Sequence, residues 1–365
     1  MRISHILSAA AVFTCAAVLA FGASTMQSGK ADLKSAGPLA FGPDGVLFVG
    51  DSLGAAIVAL DVNDRTPAKS GGNLEIKGIN EKIAALLGTA ADQILINDVA
   101  VNPVSKNVYI SVSRGKGPDA VALILRADQA GKLTEVSLDN IKHVKVALAD
   151  APANTPASPD NPRARNQRLE AITSLHYIDG KVFVAGLSNE EFSSSLRAIP
   201  YPFDQANKGA GIEIWHGSHG RFETNAPVRT FIPYEIDHQA NILAAYTCTP
   251  LVKIPVSDLK PGAKVKGTTI AELGAGNRPL DMIVYAKGGK NFILMANSAR
   301  GVMKLPADNL GTFEPITKHT EITGVPYETI ADLKGVQQLD KFDDSKALVL
   351  MGSGSSLDLR TVPLP

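Results

Sequence analysis

Short apolar runs that turn back on themselves recur along the whole chain. In the clearest copy, residues 39–50, an apolar run enters the turn Pro43-Asp44-Gly45 and returns with alternating character. A turn of this kind between two strand-like runs is the signature of a β-hairpin. Comparable units begin near positions 39, 98, 171, 242, 281 and 333. The pattern therefore predicts a series of hairpins, with one short helix over residues 80–87.

The spacing of these units indicates the fold class. Successive units start about 40 to 70 residues apart, which is the range of β-propeller blades that carry loop insertions. Two β-sandwiches would also contain many short strands, but the repeated order of strand, turn and strand favours the propeller. We predict an all-β fold, a β-propeller with six blades. A seventh blade stays open, because the third unit also holds strand-like runs at residues 211–215 and 228–232.

The first 23 residues have the pattern of a secretory signal peptide. A basic start is followed by an apolar run from Ile6 to Phe21 and then by small residues. We predict cleavage near Ala23, a periplasmic or secreted location, and a soluble mature protein with no membrane span. The remaining residues, 24–365, are predicted to form a single β-propeller domain.

Composition narrows the range of functions. The chain is 45% hydrophobic and holds 36 basic and 36 acidic residues, so it has material for a large core and no net charge. Because it lacks an excess of basic residues, we expect no nucleic-acid partner. A small-molecule ligand or a protein partner fits this composition. Only Cys248 follows the predicted cleavage site, so no disulfide is expected within the mature chain.

Polar residues stand near the predicted starts of the innermost strands, where propellers assemble sites around their axis. Several oxygen ligands and an imidazole converging there would suit a divalent cation or a polar ligand. The predicted ligand-binding residues are Asn97, Asp98, Glu170, Arg278 and Tyr246, and the predicted metal ligands are Glu170, His238 and Asp281. The ion would be calcium or a transition metal. The alternative is that these residues cap turns and strands through hydrogen bonds to local backbone.

Two further groups of residues have metal-binding chemistry. Tyr246 and Cys248 share one face of a predicted strand, and a thiolate next to His238 would bind copper or zinc. A buried structural cysteine is the alternative. His216 and His219 form an H-x-x-H pair, but the pair falls in a glycine-rich turn, where such histidines are more often solvated.

Four short motifs have counterparts in a known propeller family. They are Gly37-Pro38, Asn97-Asp98, Glu170-Ala171-Ile172 and Pro279-Leu280-Asp281-Met282. Together with the Pro-Asp-Gly turn, they resemble the calcium-dependent gluconolactonase and regucalcin group, and NHL- or YVTN-type propellers more broadly. The resemblance implies a propeller with metal and substrate ligands at its axis. The chain departs from the family's pattern at Ala36, Leu95 and Leu280, which replace an acid, an arginine and an aspartate.

Three functions follow from these observations. The first, which we favour, is the binding of a small polar ligand or a metal ion at the central axis, with or without catalysis. The second is metal-dependent hydrolysis of lactones, as the resemblance implies. The third is a periplasmic protein-interaction scaffold, motivated by insertions at residues 151–165 and 187–210. The second insertion carries an apolar-rich stretch suited to a lid or a contact surface.

Overall fold

The computed structural model describes residues 25–69, 72–117, 119–156, 164–248, 250–353 and 355–365. The predicted signal peptide, residues 1–23, lies outside the described residues, as does the middle of the predicted loop at 151–165. Within the described ranges, no helix is both long and apolar enough to cross a membrane.

Antiparallel β-strands dominate the described chain. In chain order they are β1 (Gln27–Gly29), β2 (Leu39–Phe41), β3 (Val46–Asp51), β4 (Ala56–Asp61), β5 (Glu75–Ile76), β6 (Ile94–Val101), β7 (Val108–Arg114), β8 (Val121–Ala127), β9 (Leu133–Glu135), β10 (Ile141–Ala147), β11 (Ser174–Ile178), β12 (Lys181–Leu187), β13 (Ser194–Pro200), β14 (Ala210–His216), β15 (Arg221–Glu223), β16 (Thr230–Ile236), β17 (Gln239–Ala245), β18 (Pro250–Pro255), β19 (Lys264–Lys266), β20 (Thr268–Leu273), β21 (Pro279–Lys287), β22 (Lys290–Asn297), β23 (Gly301–Pro306), β24 (Ile322–Gly324), β25 (Glu328–Ile330), β26 (Val336–Lys341), β27 (Lys346–Ser353) and β28 (Ser356–Pro363).

Helical structure is sparse. The α-helix α1 spans Ile79–Leu86, within one residue of the prediction at each end, and buries Ile79 and Ile83. Single 3₁₀ turns join several strands, at Pro43–Gly45, Ala91–Gln93, Gln167–Glu170, Gly217–His219, Val256–Asp258, Leu310–Thr312 and Ala331–Leu333.

In the described residues the strands form six sheets, and each sheet is one blade. The innermost strands are β2 in blade 1, β6 in blade 2, β11 in blade 3, β16 in blade 4, β21 in blade 5 and β26 in blade 6. These six strands contact one another in a closed ring, in the order of blades 1, 3, 4, 5, 6, 2 and back to 1. The predicted all-β propeller with six blades is confirmed.

Several outer strands pair with strands of another stretch of the chain, and β5 and β10 come from the most distant parts of the sequence. Strand β5 follows blade 1 along the chain, yet it pairs with β28 at the outer edge of blade 6. Strand β10 follows blade 2, yet it pairs with β4 in blade 1. Blade 1 therefore lies between blades 2 and 3 in space, and blades 1 and 6 are each built from two separate stretches of chain.

Apolar side chains between neighbouring blades form the core. Every residue of β3 is buried, because a blade packs both of its faces against other blades. Phe48 shows the packing: its ring centroid lies 5.7 Å from that of Tyr177, 4.9 Å from that of Tyr201 and 5.9 Å from that of Phe203. Such aromatic contacts join blade 1 to blade 3.

The boundaries of blade 4 correct one part of the sequence interpretation. The predicted fourth unit began at Ile242, but that residue lies in the second strand of the blade, β17, and the innermost strand is β16. Pro233 and Glu235 interrupt the apolar pattern of β16, which made it less visible. The two runs that left a seventh blade open fall elsewhere: residues 211–215 lie in β14 of blade 3, and residues 228–232 lead into β16.

The apolar stretch in the second predicted insertion is also part of the core. Leu196, Ile199 and Phe203 are 1%, 2% and 0% exposed, respectively. The first two lie in β13, a strand of blade 3. The prediction of a lid or an exposed contact surface from this stretch is therefore wrong for these three residues, because their side chains are already buried within and between blades.

Candidate functional site

A cavity runs along the axis of the propeller. It has a volume of about 810 Å³ and is lined by residues from all six innermost strands. One representative from each blade, in chain order, is Ala40, Asp98, His176, Ile232, Asp281 and Asp340. A cavity of this size is large enough for a small organic ligand.

Three carboxylates line this cavity and also join neighbouring blades. Asp281 of blade 5 accepts a hydrogen bond from the backbone N–H of Leu339 in blade 6 at 3.1 Å. Asp340 of blade 6 accepts one from Val101 in blade 2 at 2.7 Å. The third carboxylate, Asp98 of blade 2, accepts one from Leu39 in blade 1 at 2.7 Å. Each carboxylate thus bridges from its own strand to the next blade of the ring.

The same carboxylates are bonded within their own strands. The backbone N–H groups of Val99, Met282 and Lys341 donate to Asp98, Asp281 and Asp340 respectively. The pairing register of β6 shifts next to Asp98, between Ile96 and Asp98, and that of β21 shifts between Pro279 and Asp281. Register shifts of this kind are typical of β-bulges, which redirect side chains locally.

Burial raises the pKa of all three carboxyl groups. Desolvation is the largest cause for Asp98, whose pKa is raised to about 7, and the nearby charge of Asp340 adds to it. Desolvation and the charge of Asp98 hold the pKa of Asp281 well above its usual range. Desolvation also raises the pKa of Asp340 to about 6. The backbone N–H donors lower these pKa values but do not outweigh burial.

Arginine side chains gather at one mouth of the cavity. Arg229 and Arg278, which directly precede β16 and β21, both line it. Arg229 pairs with Glu170 at 2.7 Å, and the more exposed Arg165 approaches the same carboxylate at 3.7 Å. Arg278 forms no ion pair with a carboxylate in the described ranges. Desolvation and the charges of Arg229 and Arg165 lower the pKa of Arg278.

His176 adds a neutral polar group to the wall. It lies on β11, and its ring packs against that of Phe231 with centroids 4.8 Å apart. Burial lowers the pKa of His176 to about 4, so the imidazole is neutral at pH 7. Because one ring nitrogen is engaged by a hydrogen bond to the backbone of Phe231, the imidazole has one nitrogen left for a ligand.

The structure brings most of the predicted ligand-binding residues to the axis. Asn97, Asp98 and Arg278 line the cavity, and Glu170 lies at its mouth through its ion pair with Arg229. The amide of Asn97 donates to the carbonyl of Ala36 at 2.8 Å. Tyr246 does not line the cavity. Its side chain is fully buried in the core shared by blades 3 and 4.

The predicted metal ligands Glu170, His238 and Asp281 are not brought together. Asp281 lies in the cavity wall, whereas His238 lies in the tight turn between β16 and β17 with its side chain 99% exposed. Among the described residues, these three do not form a group with metal-ligand spacing. The prediction is wrong because blade 4 begins one strand earlier than expected, which moves His238 to the far end of the innermost strand.

Cys248 lies beside His216 and His219, whereas the prediction placed it beside His238. One ligand atom each from His216, His219 and Cys248 lie within 4.8 Å of one another. The histidines belong to the end of β14 and the turn after it, and Cys248 follows β17 in blade 4. The sequence showed the H-x-x-H spacing and the lone cysteine, but their proximity depends on how blade 3 packs against blade 4.

Sequence reasoning missed three residues of the axial site: Arg229, His176 and Asp340. Asp340 had a visible signal, because it lies on the innermost strand of its unit as Asp98 and Asp281 do on theirs. Arg229 was missed because the start of blade 4 was predicted one strand too late in the sequence. His176 is a lone histidine in an apolar strand, which is usual for a structural residue.

Comparison with known proteins adds little beyond the fold. No protein family matches the sequence, and no curated protein is significantly similar to it. An oxidoreductase of Thermus thermophilus, described as a glucose dehydrogenase, is 11% identical, with 92% of this chain and 100% of that chain covered and a TM-score of 0.38.

Two other solved structures are equally distant. The PQQ-bound aldose sugar dehydrogenase of Streptomyces coelicolor is 12% identical, with 93% and 97% of the chains covered and a TM-score of 0.36. A streptogramin B lyase is 9% identical, with 93% and 97% covered and a TM-score of 0.34. At these values the comparisons do not assign a function.

Proposed function

We propose that this protein binds a small organic anion in its axial cavity, with the arginines at the mouth holding the anionic group. The single observation that carries the proposal is Arg278, a guanidinium that lines the cavity and has no carboxylate partner among the described residues. Arginine presents a planar set of donors that matches a carboxylate or a phosphate.

The charge balance at the mouth supports an anion over a cation. Three arginines, at positions 165, 229 and 278, act on one another there, and Glu170 is the acid that acts against them. Low-dielectric walls strengthen the attraction between such a cluster and an anion that enters the cavity. A metal cation bound between these arginines would be repelled.

The deeper wall suits the uncharged part of such a ligand. Asp98 and Asp281 have raised pKa values, so their carboxyl groups are protonated for a larger share of the time than ordinary acids. A protonated carboxyl group donates a hydrogen bond, and the neutral His176 has one ring nitrogen left for a ligand beside its hydrogen bond to the backbone of Phe231. Hydroxyl groups of a polyhydroxylated acid would find partners along this wall.

Lactone hydrolysis is less well supported by the residues of this chain. Two acidic positions of the gluconolactonase pattern hold Ala36 and Leu280 here, and Glu170 is already paired with Arg229. We therefore propose binding as the function of the axial cavity. The predicted export, with a periplasmic or secreted location, belongs to the same proposal: an exported binding protein for a small anion.

Calorimetric titration with D-gluconate, succinate and inorganic phosphate tests the proposal, with neutral D-glucose as the comparison. We expect at least one anion to bind, and the Arg278→Gln variant to bind it about 10-fold or more weakly, because a hydrogen bond to a charged group contributes about 1.5 to 3 kcal/mol. Arg65→Gln is the matched control. Arg65 pairs with Asp61 at 2.7 Å and does not line the cavity.

Two outcomes would contradict this function. One is that none of the three anions binds the folded protein. The other is that Arg278→Gln and Arg65→Gln bind the anion with the affinity of the unchanged protein, which would place the anion outside the axial cavity.

A further inference from the structure

The group formed by His216, His219 and Cys248 lies outside the axial cavity. Its ligand atoms lie within 4.8 Å of one another, and the two imidazole rings are tilted by 35° with their centroids 3.8 Å apart. A tetrahedral zinc ion holds nitrogen and sulfur ligands about 3.3 to 3.7 Å from one another, given its bond lengths of about 2.0 to 2.3 Å. Small side-chain rotations would close the remaining difference.

A shared carboxylate holds both histidines in place. Glu223 accepts a hydrogen bond from Nδ1 of His216 at 2.8 Å through one oxygen, and from Nδ1 of His219 at 2.7 Å through the other. The carboxylate itself is only 8% exposed and is further held by Arg221 at 3.1 Å. An imidazole whose Nδ1–H is donated to a carboxylate presents its Nε2 lone pair, which is the usual arrangement behind a metal-bound histidine.

The second nitrogen of His216 has no partner. The His216 side chain is 2% exposed, and its Nε2 atom is buried without a hydrogen bond to any described residue. An unsatisfied buried polar atom is costly, so each one in a native structure calls for a bound partner or a functional role. With Nδ1 committed to Glu223, a metal ion is the partner that would satisfy Nε2.

The backbone presents Cys248 to the histidines. Cys248 has a φ of 63°, in the left-handed region that residues other than glycine rarely adopt. Its N–H donates to the carbonyl of Asn277 in the chain leading to blade 5, at 2.7 Å. The cysteine is free and partly buried. The turn therefore fixes the thiol beside the end of blade 3.

We propose that His216, His219 and Cys248 form a binding site for a divalent transition-metal ion, with zinc as the best match, and that Glu223 positions both histidines. Two imidazole nitrogens and one thiolate suit zinc by donor type. Three protein ligands leave the fourth tetrahedral position for water or another small ligand. The ion joins the outer part of blade 3 to the turn of blade 4, and binding releases the thiol proton of Cys248.

Calorimetric titration of the chelator-treated protein with Zn²⁺ tests the site. Co²⁺ serves as a spectroscopic probe of the same ligands. We expect one ion per chain, and a thiolate-to-cobalt charge-transfer absorption that disappears in Cys248→Ser. Substitution of a residue that holds a metal ligand in place typically weakens metal binding about 10- to 100-fold. Cys248→Ser and His219→Gln each remove a ligand, so each should weaken Zn²⁺ binding by more than this. Glu223→Gln should fall within that smaller range.

The matched control is His238→Gln, which removes a histidine with a 99% exposed side chain in another turn of blade 4 and should leave Zn²⁺ binding unchanged. His219 is 40% exposed, so His219→Gln should fold even without metal. Circular dichroism and the unfolding midpoint of each metal-free variant verify this. The site is refuted if the unchanged protein binds neither ion, or if binding is the same in Cys248→Ser and His219→Gln as in His238→Gln.

Discussion

Three interfaces of the blade ring are joined at the axis by buried carboxylates, whereas the other three are joined by hydroxyl and amide hydrogen bonds and, at the mouth of the cavity, by the Glu170–Arg229 ion pair. Asp281, Asp340 and Asp98 link blades 5 to 6, 6 to 2 and 2 to 1. Between blades 1 and 3, the hydroxyl of Ser52 donates to the carbonyl of Ile172 at 3.1 Å. Between blades 3 and 4, the hydroxyl of Thr173 donates to the carbonyl of Val228 at 2.6 Å. Between blades 4 and 5, the N–H of Cys248 donates to the carbonyl of Asn277 at 2.7 Å.

The difference divides the ring into a half joined by buried acids and a half joined mainly by hydroxyl and amide hydrogen bonds. A carboxylate can accept several N–H groups at once, so one acid bridges two strands, whereas a hydroxyl has only one hydrogen to donate to a carbonyl. Burial of three acids near one another makes that half sensitive to pH, because their charged forms repel and lack water. Hydroxyl and amide groups do not titrate in the same range, so the links that they form are expected to be insensitive to pH.

The largest effect is expected from removing an acid at low pH. Asp98→Leu leaves the buried N–H groups of Leu39 and Val99 without their acceptor, at about 1 to 3 kcal/mol for each group. Because cavity water can reach part of this wall, we expect the free energy of unfolding at pH 5 to fall by about 2 to 4 kcal/mol. Urea unfolding followed by circular dichroism measures it.

The matched control for this change is Asp139→Leu, at an acid whose side chain is 85% exposed. A surface substitution of this kind should alter stability by no more than about 0.5 kcal/mol. If Asp98→Leu proved as mild as Asp139→Leu, the carboxylate would not be joining the blades.

A smaller effect is expected from pH. The raised pKa of Asp98, about 7 against about 4 for an unfolded chain, means that the native state binds this proton more tightly. Stability from this group is therefore present at pH 4 and lost as pH rises towards 7. The side chain at this position cannot titrate in the Asp98→Asn variant. The variant's free energy of unfolding should be lower than that of the unchanged protein, and this difference should shrink by about 1 to 3 kcal/mol between pH 5 and pH 8.

Comparing the two proteins removes the contributions that both share. His176, with its pKa lowered to about 4, has the opposite effect, because the unfolded chain binds its proton more tightly below about pH 6.5. That contribution is common to both proteins and cancels in the difference. Urea unfolding of both proteins at four pH values measures the difference between their free energies of unfolding. A difference that stays constant from pH 5 to pH 8 would show that Asp98 does not titrate in this range.

The fold could be predicted from the sequence largely because each blade is a local structure. The hairpin at residues 39–50 and the third strand β4 follow from turn residues and alternation that lie next to one another in the chain. The exchanged outer strands β5 and β10 could not be found in this way. Their pairing partners lie far away in sequence, and strand β5 is only two residues long.

The sites divide along the same line. Asp98 and Asp281 were predictable, because each stands at the start of an apolar run in the sequence and polar residues at that place meet on the axis. Glu170 and Arg278 were found by the same reasoning, but the partner of Glu170, Arg229, was not. The contact between Cys248 and His216 needs the packing of two blades, which no spacing along the chain encodes. A residue whose place on the axis follows from its position in a strand can be predicted, and a contact set by the packing of two blades cannot.

The smallest effect is expected from the hydroxyl link between blades 3 and 4. Thr173→Val keeps the shape of the side chain but removes the hydroxyl that donates to the carbonyl of Val228, so stability should fall by about 1 kcal/mol. The loss should be the same at pH 5 and pH 8, because neither group titrates between them. Urea unfolding at both pH values measures it, with Asp98→Asn as the pH-sensitive counterpart. A loss that changed with pH as much as that of Asp98→Asn would mean that the pH response belongs to the whole ring, and the division into two halves would no longer hold.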